Sequence, residues 1–147
     1  MEKKKFRHIG KSPDRAEALE KVTGRATYVH DMEFPGMLYA KVLNSPHARA
    51  NIKSIDISEA KALPGVKAIL TGKDAPYLVG LYMVDKCIIA DKFVRYQGEV
   101  VAAVAAIDEA TAEKAISLIK VEYEVLPAVI TLDQALEAKI LVHEDIN

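Results

Sequence analysis

The feature that most constrains the fold is a continuous apolar run followed directly by a capped helical pattern. Val100–Ile107 contains only apolar residues, and Asp108 follows it. A run of this length predicts a strand that is buried on both faces. Asp108 is a favourable N-cap, and small or branched apolar residues recur at helical spacing over Ala112–Ile119. The sequence therefore predicts a buried strand that leads into a helix with one buried face.

A further strand is predicted after this helix. Val121–Val125 alternates apolar and acidic residues and ends at Leu126-Pro127. The segment from about Phe93 to Val125 thus has the order strand, helix, strand. Such a connection usually returns parallel and right-handed, so we expect the two strands to pair in parallel.

The preceding part of the chain is dominated by strands. Met37–Leu43 and Val66–Leu70 are apolar enough for strands, and Ile52–Ile57 alternates as a partly exposed strand. Helices are predicted from Ser58 to Leu63 and from Thr131 through about Ala138. The whole pattern indicates an α+β (mixed α/β) domain with a mixed sheet and two to three helices.

The domain organisation predicts a short arm before this domain. Residues 1–24 are polar and poor in large apolar side chains, and Ala16–Val22 could form only one or two helical turns. We therefore assign 1–24 to an N-terminal arm and 25–147 to the folded domain. The arm is expected to be mobile or to be borrowed by a neighbouring copy.

Composition and charge exclude several function classes. Among 147 residues, 20 basic residues balance 21 acidic ones, so no long-range attraction for nucleic acid is expected. Basic residues cluster only at Lys3–Lys5 and Arg7, which are interpreted as a solvated tail. The single cysteine, Cys87, rules out an intrachain disulfide and a zinc site of several thiolates. With no membrane-spanning run and no signal peptide visible, we expect a cytoplasmic protein that does not enter a membrane.

Residue chemistry alone indicates no active site. The chain lacks the nucleophile-elbow, Walker, zincin and dinucleotide-binding motifs. Cys87 is interpreted as a small packing residue, and the Glu122 and Glu124 carboxylates as solvated charges. The histidines lack the spacing of metal ligands and are interpreted as surface or cap residues; they are His8, His30, His47 and His143.

An ordered set of short motifs nevertheless resembles a known family over nearly the whole chain. The motifs lie at Lys21–Tyr28, Pro35–Tyr39, Ser45–Ala50, Leu63–Val66, Val94–Ala102 and Val121–Val129. Together they resemble the N-terminal a/b hammerhead domain of the molybdenum hydroxylases, which include xanthine dehydrogenases, aldehyde oxidases and carbon monoxide dehydrogenase large subunits. Val100 departs from the pattern, since family members commonly have proline there, but a strand accommodates valine.

The resemblance implies a structural and interface domain of a molybdopterin-dependent oxidoreductase, with the isolated chain not catalytic. In this family the molybdopterin-binding and catalytic residues lie in later domains, so we assign no catalytic, cofactor-binding or metal-binding residue here. The implied partners are the remaining molybdopterin-binding domains and the iron–sulfur and FAD subunits or domains; a homo-oligomer also stays open. The resemblance leaves the substrate open, and also whether the chain is an excised domain or a split subunit.

Two segments are candidates for contact with those partners. One contains Ser45, Pro46, His47 and Arg49; the other contains Gln97, Gly98 and Glu99, where glycine allows positive φ or close approach. The alternative for both segments is internal turn formation. The alternative for the whole chain is a stand-alone protein-binding module without an enzyme partner.

Overall fold

The structure is a computed structural model that describes residues 7–142. His143 and the basic residues Lys3–Lys5 lie outside the described residues. The chain divides into two compact units at the Pro35–Gly36 bond. In the first unit, α1 spans Ala18–Val22 and a 3₁₀ helix spans Val29–Asp31. Over 7–35 no side chain is buried.

Between residues 36 and 142, the second unit contains eight strands and three further helices. Their order is β1 (Tyr39–Asn44), β2 (Ala50–Asp56), α2 (Ser58–Ala62), β3 (Val66–Thr71), β4 (Leu78–Val79), β5 (Lys86–Cys87), β6 (Phe93–Val94), β7 (Val100–Ala106), α3 (Glu109–Leu118), β8 (Lys120–Val125) and α4 (Leu132–Leu136). The expectation of a domain with both helices and strands is confirmed. The expected two to three helices of the domain correspond to α2, α3 and α4 among the described residues, and α1 is the short helical segment allowed for in the arm.

The strands form three antiparallel sheets. Their orders are β1-β7-β3, β6-β2-β8 and the hairpin β4-β5. The predicted parallel return is wrong, and so is the mixed sheet, because β7 and β8 lie in different sheets and every pairing among residues 7–142 is antiparallel. The physical reason is that β1 and β3 occupy both edges of β7. After α3, the chain therefore forms β8, which pairs with β2 of the second sheet. The acidic side chains of β8 stay exposed there.

The core lies on both faces of β7, as the apolar run predicts. On one face, Ala102 and Val104 pack with Ala115 of α3 and Ala60 of α2. On the other face, Val101 packs with apolar residues of the second sheet. Alanine at the contact positions lets the helices approach the strand closely. β7 is thus the central strand of the core, and the site described next lies at its start.

The start of α3 is set by Asp108. Its Oδ1 accepts a hydrogen bond of 2.7 Å from the Thr111 N–H. This satisfies one of the free amides at the helix start, as predicted. The same backbone hydrogen bond lowers the pKa of Asp108 below 3.8. Thr131 caps α4 in the same way, with Gln134 completing a capping box.

Candidate interface surface

The two candidate segments are distant in sequence but adjacent in the structure. The Ser45 N–H donates to the Glu99 carbonyl at 2.8 Å, and the Gly98 N–H donates to the Ser45 carbonyl at 2.9 Å. The contact arises because β1 ends where β7 begins, with Asn44 opposite Val100. We call residues 45–49 together with 97–99 the turn pair. The topology thus brings together the two segments that the sequence analysis treated as separate candidates.

Ser45 faces the interior of the turn pair. It is buried, and its Oγ accepts the His47 N–H at 3.1 Å and lies 3.0 Å from the His47 carbonyl oxygen. The His47 ring contacts Tyr123 of β8 edge-on, with 4.9 Å between ring centroids. Burial raises the pKa of Tyr123 above 10.0, and a hydrogen bond with Ser45 partly opposes that rise. The first segment is therefore held against β8 by a hydroxyl and two rings.

Glu99 faces inward as well. Only 2% of it is exposed, and its Oε2 accepts the Arg95 N–H at 2.6 Å. Its Oε1 lies 3.9 Å from Arg95 Nη1, so the carboxylate is paired with a cation that is itself largely buried. The pairing is incomplete, because Glu99 Oε1 and Arg95 Nε lack hydrogen-bond partners among the described residues. The buried carboxylate thus links residue 99 to the backbone of residue 95 on the inner side of this turn.

Gly98 supplies the backbone conformation of the second segment. Its φ is +91°, a region in which residues with a Cβ are strained. A Cβ built there would meet nothing within 4 Å. The glycine is therefore required by the positive φ, and a close approach from elsewhere in the described chain plays no part.

The outward side of the turn pair is small and nearly uncharged. Pro46, Gln97 and Gly98 are exposed, and His47 is half-buried. Arg49 is half-buried and contacts its own chain, since its Nη1 donates to the Pro127 carbonyl at 3.3 Å. Of the seven candidate residues, three thus remain fully available to another molecule, while Ser45, Glu99 and Arg49 build the surface from behind.

Several ionic groups outside the turn pair take part in local ion pairs or hydrogen bonds. Glu124 contacts Asn51 and Lys53 of β2, and Glu122 lies 3.1 Å from the Ser54 Oγ. Both glutamates thus make polar contacts while remaining on the exposed side of β8. Over 7–142, no three His, Cys, Asp or Glu side chains are grouped to hold a metal ion.

A second exposed surface was missed by the sequence analysis. Residues 77–88 form the β4–β5 hairpin, which we call the apolar hairpin. Leu81 is 89% exposed and Tyr82 is 95% exposed. The remaining large exposed apolar residues of the segment are Tyr77, Leu78, Val79, Met83, Val84 and Ile88. The available signal was the density of large apolar residues in a segment with neither helical nor strand periodicity.

No helix among residues 7–142 is long and apolar enough to cross a membrane.

Comparison with known proteins finds relatives that are much longer than this chain. The model of the "aldehyde oxidase and xanthine dehydrogenase, a/b hammerhead domain" family matches residues 23–127. The carbon monoxide dehydrogenase large chain of Afipia carboxidovorans is 40% identical over 97% of this chain. A probable xanthine dehydrogenase subunit of Bacillus subtilis is 41% identical over 90%. In each case the chain spans 18% of the relative's own length.

A solved structure shows the same arrangement of elements. The copper- and molybdenum-containing carbon monoxide dehydrogenase matches with a TM-score of 0.86 and 40% identity. The match covers 94% of this chain and 18% of that one. Because the family model covers most of the chain and the solved fold agrees, the chain belongs to the aldehyde oxidase and xanthine dehydrogenase family, within which it corresponds to the a/b hammerhead domain.

Proposed function

We propose that the chain is a structural and interface domain of a molybdopterin-dependent oxidoreductase, and that the isolated chain is not a catalyst. The observation that carries the proposal is the combination of a hammerhead fold with a span of only 18% of its relatives. The carbon monoxide dehydrogenase relative contains copper and molybdenum, and a nicotinate dehydrogenase relative is a molybdopterin subunit. In this proposal the redox cofactors are held by other domains, and this chain supports them.

The proposed contact surface is the outward side of the turn pair. Pro46, Gln97 and Gly98 are uncharged, and a partner that covers Pro46 and Gly98 immobilises almost no side-chain rotamers. Ser45 and Glu99 contribute indirectly, because their internal hydrogen bonds hold the two turns in register. Arg49 acts likewise through Pro127. The proposed partners are the remaining molybdopterin-binding domains, with iron–sulfur and FAD domains or subunits further out, in the cytoplasm.

The test is co-purification with the remaining large-chain domains. The reading frame in the same genome that continues the family pattern would be expressed as a separate polypeptide, together with tagged residues 1–147. We expect both polypeptides to co-purify and Gln97→Ala to weaken the complex. Lys114→Ala, on the exposed side of α3, is the matched control and should leave binding unchanged. Absence of such a reading frame, or failure of the wild-type chain to bind its product, would favour a stand-alone binding module.

A further inference from the structure

The apolar hairpin is too large an exposed surface to be incidental. Eight large apolar side chains in residues 77–88 are at least 42% exposed. A fully exposed aromatic side chain presents roughly 150–250 Å² and an aliphatic one somewhat less, so the summed exposed area of the eight residues is on the order of 900 Å². The largest apolar patch on an ordinary monomer covers about 300–600 Å², and one side of a standard interface about 800 Å². The hairpin alone therefore provides the area of one whole interface side.

The local geometry of the loop keeps this surface exposed. A Cβ at Gly80 would collide with the Met83 carbonyl oxygen, so only glycine permits this tight loop. The loop leaves Leu81 and Tyr82 almost fully exposed at its tip. Within 77–88 the charged residues are Asp85 and Lys86, which follow the tip on the β5 side. The tip is thus an uncharged projection, which fits an apolar recess and gives no attraction to a charged surface.

The hairpin is continuous with the turn pair. At its base, the Lys86 ammonium lies 6.0 Å from the centre of the Tyr96 ring. Arg95 Nη1 lies 3.7 Å from Cys87 Sγ. Arg95 and Tyr96 lead directly into Gln97 and the rest of the second turn. A partner seated on the turn pair would therefore extend along this chain onto the hairpin.

We propose that the apolar hairpin is the main docking element of the chain, and that its occupant is an apolar recess in the remaining domains of the same large chain. This rests on the proposed function. The relatives supply the occupant, since more than four-fifths of their length lies beyond the part matched here. A second copy would need a recess complementary to the loop within the same self-complementary surface. Leu81 and Tyr82 are the anchors, as the most exposed members.

The test measures the affinity of residues 1–147 for the separately expressed remaining domains. The variant is Leu81→Ser combined with Tyr82→Ser, and the control is Val42→Ser on β1, an apolar residue outside the hairpin that is 49% exposed. Circular dichroism verifies that each variant is folded, and Leu81→Ala alone serves as a milder second variant. We expect at least a tenfold higher Kd for the double variant, a smaller rise for Leu81→Ala and an unchanged Kd for the control.

The outcomes separate the two proposals. If the wild-type chain binds and the double variant binds equally well, the hairpin inference is overturned while the proposed function stands. Equal losses in the control would also overturn it, because the effect would not be specific to the hairpin. If the wild-type chain does not bind, the proposed function is overturned, and with it the hairpin inference that rests on it. A hairpin-dependent dimer of the isolated chain, or hairpin-dependent sedimentation with phosphatidylcholine–phosphatidylglycerol vesicles, would overturn the inference by assigning the surface to another occupant.

Discussion

Substitution of Glu99 tests whether its buried hydrogen bond and ion pair stabilise the turn pair. Glu99→Ala removes the 2.6 Å hydrogen bond to the Arg95 N–H and leaves the Arg95 guanidinium without its carboxylate. A hydrogen bond to a charged group contributes about 1.5–3 kcal/mol, and removal of one partner of a buried ion pair costs about 3–5 kcal/mol. Because the ion pair is long and Arg95 is 21% exposed, we expect a loss of about 2–4 kcal/mol in the free energy of unfolding. Glu99→Gln keeps an acceptor for the N–H and should cost about 1–2 kcal/mol.

The assay is urea unfolding followed by far-ultraviolet circular dichroism. For a chain of this length, the loss expected for Glu99→Ala corresponds to a Tm lowered by about 5–15 °C. Gln97→Ala is the matched control, since the side chain two residues earlier is exposed and should change stability by less than about 0.5 kcal/mol. If Glu99→Ala were as stable as the wild-type chain yet failed to bind the remaining domains, Glu99 would face a partner and the internal role would be refuted.

Three other contacts can be tested by single substitutions or by titration. The Thr111 amide lowers the pKa of Asp108, so the stabilisation is present above pH 3.8 and is lost as the pH falls through the folded-state pKa. In Asp108→Asn the free energy of unfolding should therefore fall less on acidification. Urea titrations at several pH values measure this difference. Gly72→Ala places a Cβ 2.5 Å from the Asp91 Cα and should cost about 1–3 kcal/mol or more in thermal unfolding, and an unchanged Tm would contradict the packing. Tyr123 should ionise above 10.0 in an ultraviolet titration, and removal of the Ser45 hydroxyl should raise its pKa further, whereas a fall would show that the hydrogen bond is absent.

The local elements were predictable because their causes are local. The apolar run of β7, the Asp108 cap and the Thr131 capping box each depend on residues within one turn or one strand. The pairing of β8 was not predictable in the same way. Its partner is decided by which sheet edges remain free, and β7 has none once β1 and β3 are paired. A local pattern does not contain that information, so the parallel return was inferred wrongly.

The candidate surface likewise combines features that depend on local sequence with features that depend on the whole fold. Glycine permits the positive φ found at Gly98, and the sequence analysis gave a turn there as one of two interpretations. The contact between the segments of Ser45 and Glu99, in contrast, depends on backbone hydrogen bonds between residues about 50 positions apart. The apolar hairpin was missed because its residues are large and apolar, which ordinarily indicates burial. Exposure is a property of the whole fold, and only the structure reveals it.

The most direct test of the account is the stoichiometry of residues 1–147 with the separately expressed remaining domains, measured by light scattering on a gel-filtration column. The account predicts one complex of one copy of each polypeptide, with molybdenum present in the complex and absent from the isolated chain. The account would be contradicted if the chain eluted alone at every concentration, or if the isolated chain carried molybdenum and oxidised a purine or an aldehyde by itself.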